Sequence, residues 1–209
     1  MVVEKPFCPS SKECDELITL AKEKAKILTV FQNRRWDADF VTLKRILAEN
    51  RLGRVVEFES HYDRYDPVVP PRDLVDTPGS GVTYDLGTHL FDQILNIYGP
   101  PTGVTGFLGR QRERADSGGP FDACSVLLHY SSGLLVTVKA SPISAENDQL
   151  RFWVRGTKGS FKKVSQSTPS HRGGLEGRKN HTDLCEVSFR FARASAGRRH
   201  EARRPLLWP

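Results

Sequence analysis

Asp85 and His89 stand four residues apart in GSGVTYDLGTHLFDQILNIYG (79–99), a stretch otherwise mostly apolar. Helical spacing puts positions 85, 89, 92, 93 and 96 on one narrow stripe. Val82, Leu86, Leu90, Ile94 and Ile97 cover a second side, and Phe91, Leu95 and Tyr98 a third. A carboxylate one turn before an imidazole can pair with it, favour its protonated form and fix its ring. Such an imidazole suits proton transfer in a hydroxyl-to-carbonyl conversion. The competing reading is plain: a polar stripe is often the solvent edge of a helix. Gly79 and Gly81 ahead of the helix permit close backbone approach.

Three further stretches carry reactive or ligand-binding groups. In Glu4-Lys5-Pro6 the lysine directly follows a short apolar run. If that run is a parallel strand, Lys5 stands at its carboxyl end, where open α/β sheets bind ligands. A partly buried lysine there can act as an acid or base, whereas an exposed one is merely a terminal charge. Pro6 is a candidate for a cis bond. QNRRWD (32–37) ends a second apolar run, and its Arg34 and Arg35 can bind phosphate or carboxylate or simply sit on the surface. In HYDRY (61–65), His61, Asp63 and Tyr65 share one strand face, with Tyr62 and Arg64 on the other.

The elements that must position these groups follow from the pattern. MVVEKPF opens on a strand end, SSKECDELITLAKEKAK has Ser10 or Ser11 as cap with Glu13 in the first turn, and ILTVFQN reads as a strand. Strand, helix, strand in that order predicts a βαβ unit. WDADFVTLKRILAENRLG predicts a second helix, capped by Asp37 and stopped at Gly53. RVVEFESHYDRY alternates, as a half-buried strand does. A proline-rich loop over 66–80 precedes the Asp85/His89 helix. Beyond it TGVTGFLGRQRE, DACSVLLHYS, GLLVTVKAS and LRFWVRGT form a meander punctuated by turns, and GTKGSFKK is a further short strand candidate. The expected fold class is α+β: an open, mostly antiparallel sheet with helices on one face, preceded by a βαβ remnant.

Composition narrows the classes. The chain of 209 residues is 38% hydrophobic, and no run of 18 apolar residues suggests a membrane helix. No secretory leader is visible at the start of this sequence. The four cysteines, Cys8, Cys14, Cys124 and Cys185, have no zinc-ligand spacing and read as reduced thiols of a cytoplasmic protein. The net charge of +6 is uneven, since nine of the 31 Lys and Arg but only four of the 25 Asp and Glu lie from Ser165 onward. That Arg- and Gly-rich tail is expected to be largely disordered, with CEVSFRFA its one strand-like patch. It lacks interleaved aromatics, so a nucleic-acid partner is not expected.

EKP after a strand, QNRRWDADF, HYDRY and GSGVTYDLGTHLFDQ together, in this order, resemble the Gfo/Idh/MocA oxidoreductases, and GTKGSF resembles their sheet. The resemblance covers about residues 1–164. It implies an NAD(P)-dependent enzyme with an N-terminal Rossmann domain and a C-terminal α/β domain, transferring hydride between nicotinamide and a sugar- or polyol-type carbinol. Carried over, Lys5, Asp85 and His89 form the catalytic group. Glu4, Lys5, Pro6, Asn33, Arg34 and Trp36 become cofactor contacts, and His61, Asp63, Arg64 and Tyr84 substrate contacts. No metal is implied. No G-x-G-x-x-G occurs in the chain. The expectation is therefore 1–33 as the end of a Rossmann domain, 34–164 as the substrate and oligomerisation domain, and 165–209 as a basic tail. On this reading the chain is a truncated product or a gene with a misplaced start and end, incomplete as a catalyst by itself. The alternative is a non-catalytic module that binds a partner or a second copy through its open sheet.

Overall fold

A computed structural model describes residues 1–114, 118–166 and 185–189. The chain starts with β1 (Val2–Val3), α1 (Ser11–Glu23) and β2 (Thr29–Val30). β1 and β2 pair in parallel, as the strand–helix–strand order requires. Ser10 caps α1 in a complete capping box with Glu13, so two otherwise unsatisfied backbone donors find partners. No residue of α1 is buried.

α2 (Ala38–Ala48) follows a 3₁₀ turn at Asn33–Trp36. Asp37 occupies the position before α2 but makes no cap bond; its carboxylate pairs with Arg34 instead. α2 ends before Gly53: Ala48 is its last residue, and Asn50 adopts a left-handed conformation at φ 51°.

Among the described residues, those that follow build one seven-stranded sheet. Its strands are β3 (Val55–Asp63), β4 (Gly103–Gly109), β5 (Ala123–His129), β6 (Leu135–Ser141), β7 (Asp148–Gly156), β8 (Gly159–Gln166) and β9 (Cys185–Phe189). Their order is β4-β5-β6-β3-β7-β8-β9. Only β3 and β6 run parallel; every other pair is antiparallel. The expected α+β class with a mostly antiparallel sheet is therefore observed. GTKGSFKK belongs to a full strand, β8. Within the basic tail, β9 is the CEVSF patch, and the expectation of disorder for the remainder falls outside the described residues.

α2 and α3 (Thr88–Tyr98) cover one face. Phe40, Leu43 and Ile46 of α2 and Leu90 and Ile94 of α3 meet Phe58, Val126, Val136, Val138, Phe152, Val154 and Phe161 of the sheet. In β6 alternate residues are buried, the two-residue period of a one-sided sheet. β7 breaks that period by a bulge between Leu150 and Phe152. The extra residue turns both Arg151 and Phe152 toward the helices.

Arg151 thus enters the core at 3% exposure. Its guanidinium donates to Gln93 Oε1 (2.6 Å) and Ser60 Oγ (3.0 Å) and pairs with Asp39 (3.6 Å). The rings of Tyr62 and Phe152 lie 4.1 and 4.0 Å from it. Gln93 Nε2 in turn donates to the Arg34 carbonyl (2.8 Å). One buried cation therefore ties β3, β7, α2, α3 and the Asn33–Trp36 turn together. Among the described residues no helix is long and apolar enough to cross a membrane.

Candidate active site

The helix expected in the stretch 79–99 is not uniform. Thr83–Gly87 forms a π-helical turn, and α3 begins only at Thr88. Such wide turns are uncommon and recur at functional sites. This one changes what the polar stripe does. Asp92 pairs with Arg35 (2.6 Å), Asn96 accepts from Lys44 (2.8 Å), and Gln93 is fully buried against Arg151. Most of the stripe faces neighbouring elements, and Asn96 is its exposed end.

Asp85 faces a different neighbour. Lys5 Nζ donates to its Oδ1 and to its carbonyl oxygen, both at 2.7 Å, and Arg72 reaches its Oδ2 at 3.3 Å. Lys5 is delivered by the segment after β1, through a cis Lys5–Pro6 bond. Burial pushes the Asp85 carboxyl pKa up, but the Lys5 hydrogen bond and charge, with Arg72 and Arg64 behind them, hold it below the carboxylate range.

His89 departs from its expectation. Asp85 was expected to pair with it and favour imidazolium; instead the carboxylate is engaged by Lys5. Burial, followed by the charges of Lys5 and Arg34, lowers the His89 pKa to about 4, against a weaker upward pull from Asp85. The ring is 5% exposed and neutral at ordinary pH. Its Nδ1 is buried without a hydrogen-bond partner. An NMR titration of His89 in this chain should give a pKa near 4, and Lys5→Met should raise it, because one opposing cation is gone. The folded value lies below the unfolded one of about 6.5, so this stabilising contribution is complete above about pH 6.5 and fades as pH falls toward 4. A midpoint near 6.5 in the folded chain would contradict the charge arrangement described.

Lys5, Pro6, Asp85 and Leu86 line a cleft of about 320 Å³. It lies past the carboxyl ends of β3 and β6, the parallel pair, where Arg64 and Ser141–Pro142 also reach it. The loop over 64–81 forms one wall, held by Arg112, which donates to the Asp66 carbonyl (2.7 Å) and pairs with Asp66 (3.1 Å) and Asp73 (3.5 Å). Gly81 closes the approach to the site helix. Its φ is +90°, and a Cβ there would lie 2.8 Å from the Phe121 carbonyl oxygen. Its own carbonyl accepts from Asp85 N (3.0 Å). Gly81→Ala should cost about 1–3 kcal/mol of stability, read as a lower urea midpoint; an unchanged midpoint would mean the turn is relaxed.

The remaining sequence candidates separate. Arg64 lines the cleft. His61 and Asp63 do not. They lie on the uncovered face of the sheet, where His61 sits between Asp63 Oδ2 (2.9 Å) and Glu59 Oε2 (3.1 Å), because strand alternation sends residues 59, 61 and 63 away from the helices. Tyr84 is turned from the cleft; its hydroxyl donates to the Pro9 carbonyl (2.9 Å) and tethers the segment behind Lys5. Glu4, Asn33, Arg34 and Trp36 are exposed at the ends of β1 and β2, Trp36 at 81%. Arg34 pairs with Asp37 at 3.2 Å. Arg72, Arg112 and Asp122 reach the site without having been singled out in the sequence. The proline-flanked Arg72 was the one local signal, while Arg112 and Asp122 converge only through the sheet.

Comparison with known proteins places these features in context. The model of the GFO/IDH/MocA C-terminal domain matches residues 40–162. An uncharacterized oxidoreductase, C115.03 of Schizosaccharomyces pombe, is 39% identical over 186 residues, covering 83% of this chain and 49% of that protein. The oxidoreductase YhhX of Escherichia coli is 39% identical over 161 residues, covering 77% of this chain and 45% of YhhX. A crystal structure of the probable oxidoreductase yhhX superposes with a TM-score of 0.77 at 30% identity, covering 99% of this chain and 58% of that one. The scyllo-inositol 2-dehydrogenase (NADP(+)) IolW of Bacillus subtilis is 34% identical over 162 residues, covering 77% of this chain and 44% of IolW. The chain spans about half the length of the curated relatives it matches.

Proposed function

Since the chain belongs to the Gfo/Idh/MocA family of oxidoreductases, we propose that its cleft is the carbinol side of a polyol dehydrogenase site, working with NAD or NADP held by the longer enzyme. The observation that carries this reading is the Lys5–Asp85 ion pair facing a cleft, with neutral His89 one turn further along the helix. A relative named for scyllo-inositol and NADP(+) supports the substrate class and the cofactor.

The residues present fit a nicotinamide. The 4–6 segment and the Asn33–Trp36 turn leave adjacent parallel strands at the same edge, where open α/β sheets bind nucleotides. Lys5, Pro6 and Arg34 would hold that end of the cofactor, which when bound supplies the hydride acceptor for the carbinol carbon. Lys5, its ammonium fixed by Asp85, orients the substrate hydroxyl and favours its deprotonated form. His89 does not line the cleft, its ring lying buried one turn beyond Asp85; we assign it as the acceptor of the hydroxyl proton because it is neutral with an unpaired ring nitrogen, which a protonated imidazole would not be. Asp85 keeps Lys5 aimed. Residues 1–33 are assigned to the nucleotide-binding side and 34–164 to the substrate side. The uncovered sheet face, with Phe107, Leu135 and Trp153 exposed, fits a second copy of the chain.

Hydride transfer is testable in a chimera that sets this chain behind the N-terminal half of the Bacillus subtilis relative. Polyol-dependent formation of NADPH or NADH supports the reading. A chimera that folds and binds cofactor but oxidises no polyol or polyol acid argues against it.

A further inference from the structure

We propose that the cleft selects an acidic polyol: Arg64 and Arg72 hold a carboxylate or phosphate on the substrate whose hydroxyl faces Lys5 and Asp85. The inference rests on the dehydrogenase reading for the role of the second end of the molecule. It stands on how the cations around the cleft share their carboxylates. Four cationic side chains but three carboxylates line it.

The carboxylates are unevenly taken. Arg112 has only 2% of its side chain exposed and makes the shorter contact with both acids it shares. It lies 3.1 Å from Asp66, whereas Arg64 is 3.9 Å away; it lies 3.5 Å from Asp73, whereas Arg72 is 3.8 Å away. Asp85 follows the same rule, with Lys5 at 2.7 Å and Arg72 at 3.3 Å. Arg64 and Arg72 are thus the second partner of every carboxylate they touch. They are also the open ones, at 44% and 67% side-chain exposure.

Their backbones, by contrast, are pinned. Arg64 N donates to the Ser141 carbonyl (2.9 Å) and its own carbonyl accepts from Ser144 N (3.0 Å). Arg72 sits in the 3₁₀ turn Pro71–Asp73, behind Pro70. Fixed stems carrying guanidiniums with weak internal partners suit bidentate capture of an oxyanion. A neutral polyol gives those forks no charge to meet. The cleft volume of about 320 Å³ suits a small ligand carrying both ends at once.

The test is calorimetric titration of the 209-residue chain, without cofactor, using three ligands of one carbon skeleton: glucitol, gluconate and glucitol 6-phosphate. At least one acid should bind about tenfold or more tightly than glucitol, with the margin shrinking as salt is added. The tighter of the two acids identifies carboxylate or phosphate as the preferred group. Arg64→Gln and Arg72→Gln should each reduce the margin and together remove it, with the urea midpoint little changed because both side chains are exposed. Equal binding of all three, no binding of any, or a margin that survives the double substitution would overturn the proposal. Turnover of neutral polyols alone by the chimera would sink this inference and leave the dehydrogenase reading intact. Acid binding here with a cofactor-loaded chimera that turns nothing over would do the reverse.

Discussion

Replacing Lys5 by alanine in the chimera should lower kcat by about 10²–10⁴-fold, the usual contribution of a positioned proton-transfer or charge-stabilising group. The cofactor KM should rise as well, because Lys5 also holds the nicotinamide end of the cofactor, but by a smaller factor than kcat falls. Lys5 Nζ makes two 2.7 Å contacts to Asp85. An ammonium held on two acceptors at a cleft wall is preorganised, so its field acts on the developing oxyanion without first having to be oriented. Lys5→Arg is not a conservative control, since a planar fork cannot reproduce a point charge held by one carboxylate and one carbonyl. Asp85→Asn should reproduce part of the loss by leaving Lys5 loosely aimed. Unchanged turnover in Lys5→Ala would remove Lys5 from the mechanism.

The second large effect concerns stability. Arg151→Ala should cost about 3–5 kcal/mol, as expected when one partner of a buried ion pair is removed. Asp39 would lose its buried cation, Gln93 and Ser60 would lose a donor, and the space between Tyr62 and Phe152 would empty. Since domains are stable by only about 5–15 kcal/mol, the urea midpoint should fall markedly. Arg45→Ala, which breaks an exposed Arg45–Glu49 contact at 4.0 Å, should move it by about 1 kcal/mol or less. Equal effects of the two substitutions would show that the buried network is not what holds the helices on the sheet. The network also matters to the site. Gln93 lies one turn after His89 and carries the link to the Arg34 carbonyl, so Arg151 positions both.

How legible the molecule was in its sequence depends on the range over which each signal acts. The α1 capping box, the parallel β1–α1–β2 unit, the alternation of β3 and the turns that bound β5 and β6 are local, and Ser10, Glu13, the two-residue period of RVVEFESHYDRY and the SSG turn exposed them. The central placement of β3, parallel to β6 and antiparallel to β7, is not local. The chain leaves β3, builds α3, β4 and β5, and only then returns, and no periodicity records that return. At the site, the Asp-x-Gly-x-His spacing marked the right helix but suggested the wrong partner. An ideal helical wheel brings Asp85 to His89, whereas the π turn and the arrival of Lys5 from 80 residues away give the carboxylate a stronger match. Gln93 and Asp92 looked like a solvent edge for the same reason, because their partners, Arg151 and Arg35, come from distant elements. Arg112 carried no signal at all: only the folded sheet brings it beneath the loop that it anchors.

Whether a neutral His89 takes the hydroxyl proton is read from the pH dependence of kcat/KM for polyol oxidation by the chimera, with and without His89→Ala. The parent should keep its activity down to an acid limb near pH 4, where His89 gains its proton and can no longer accept one from substrate. His89→Ala should lower the plateau and abolish that limb. A limb that stays in place when His89 is gone, or a parent limb near pH 6.5 that tracks an imidazolium, would contradict that role.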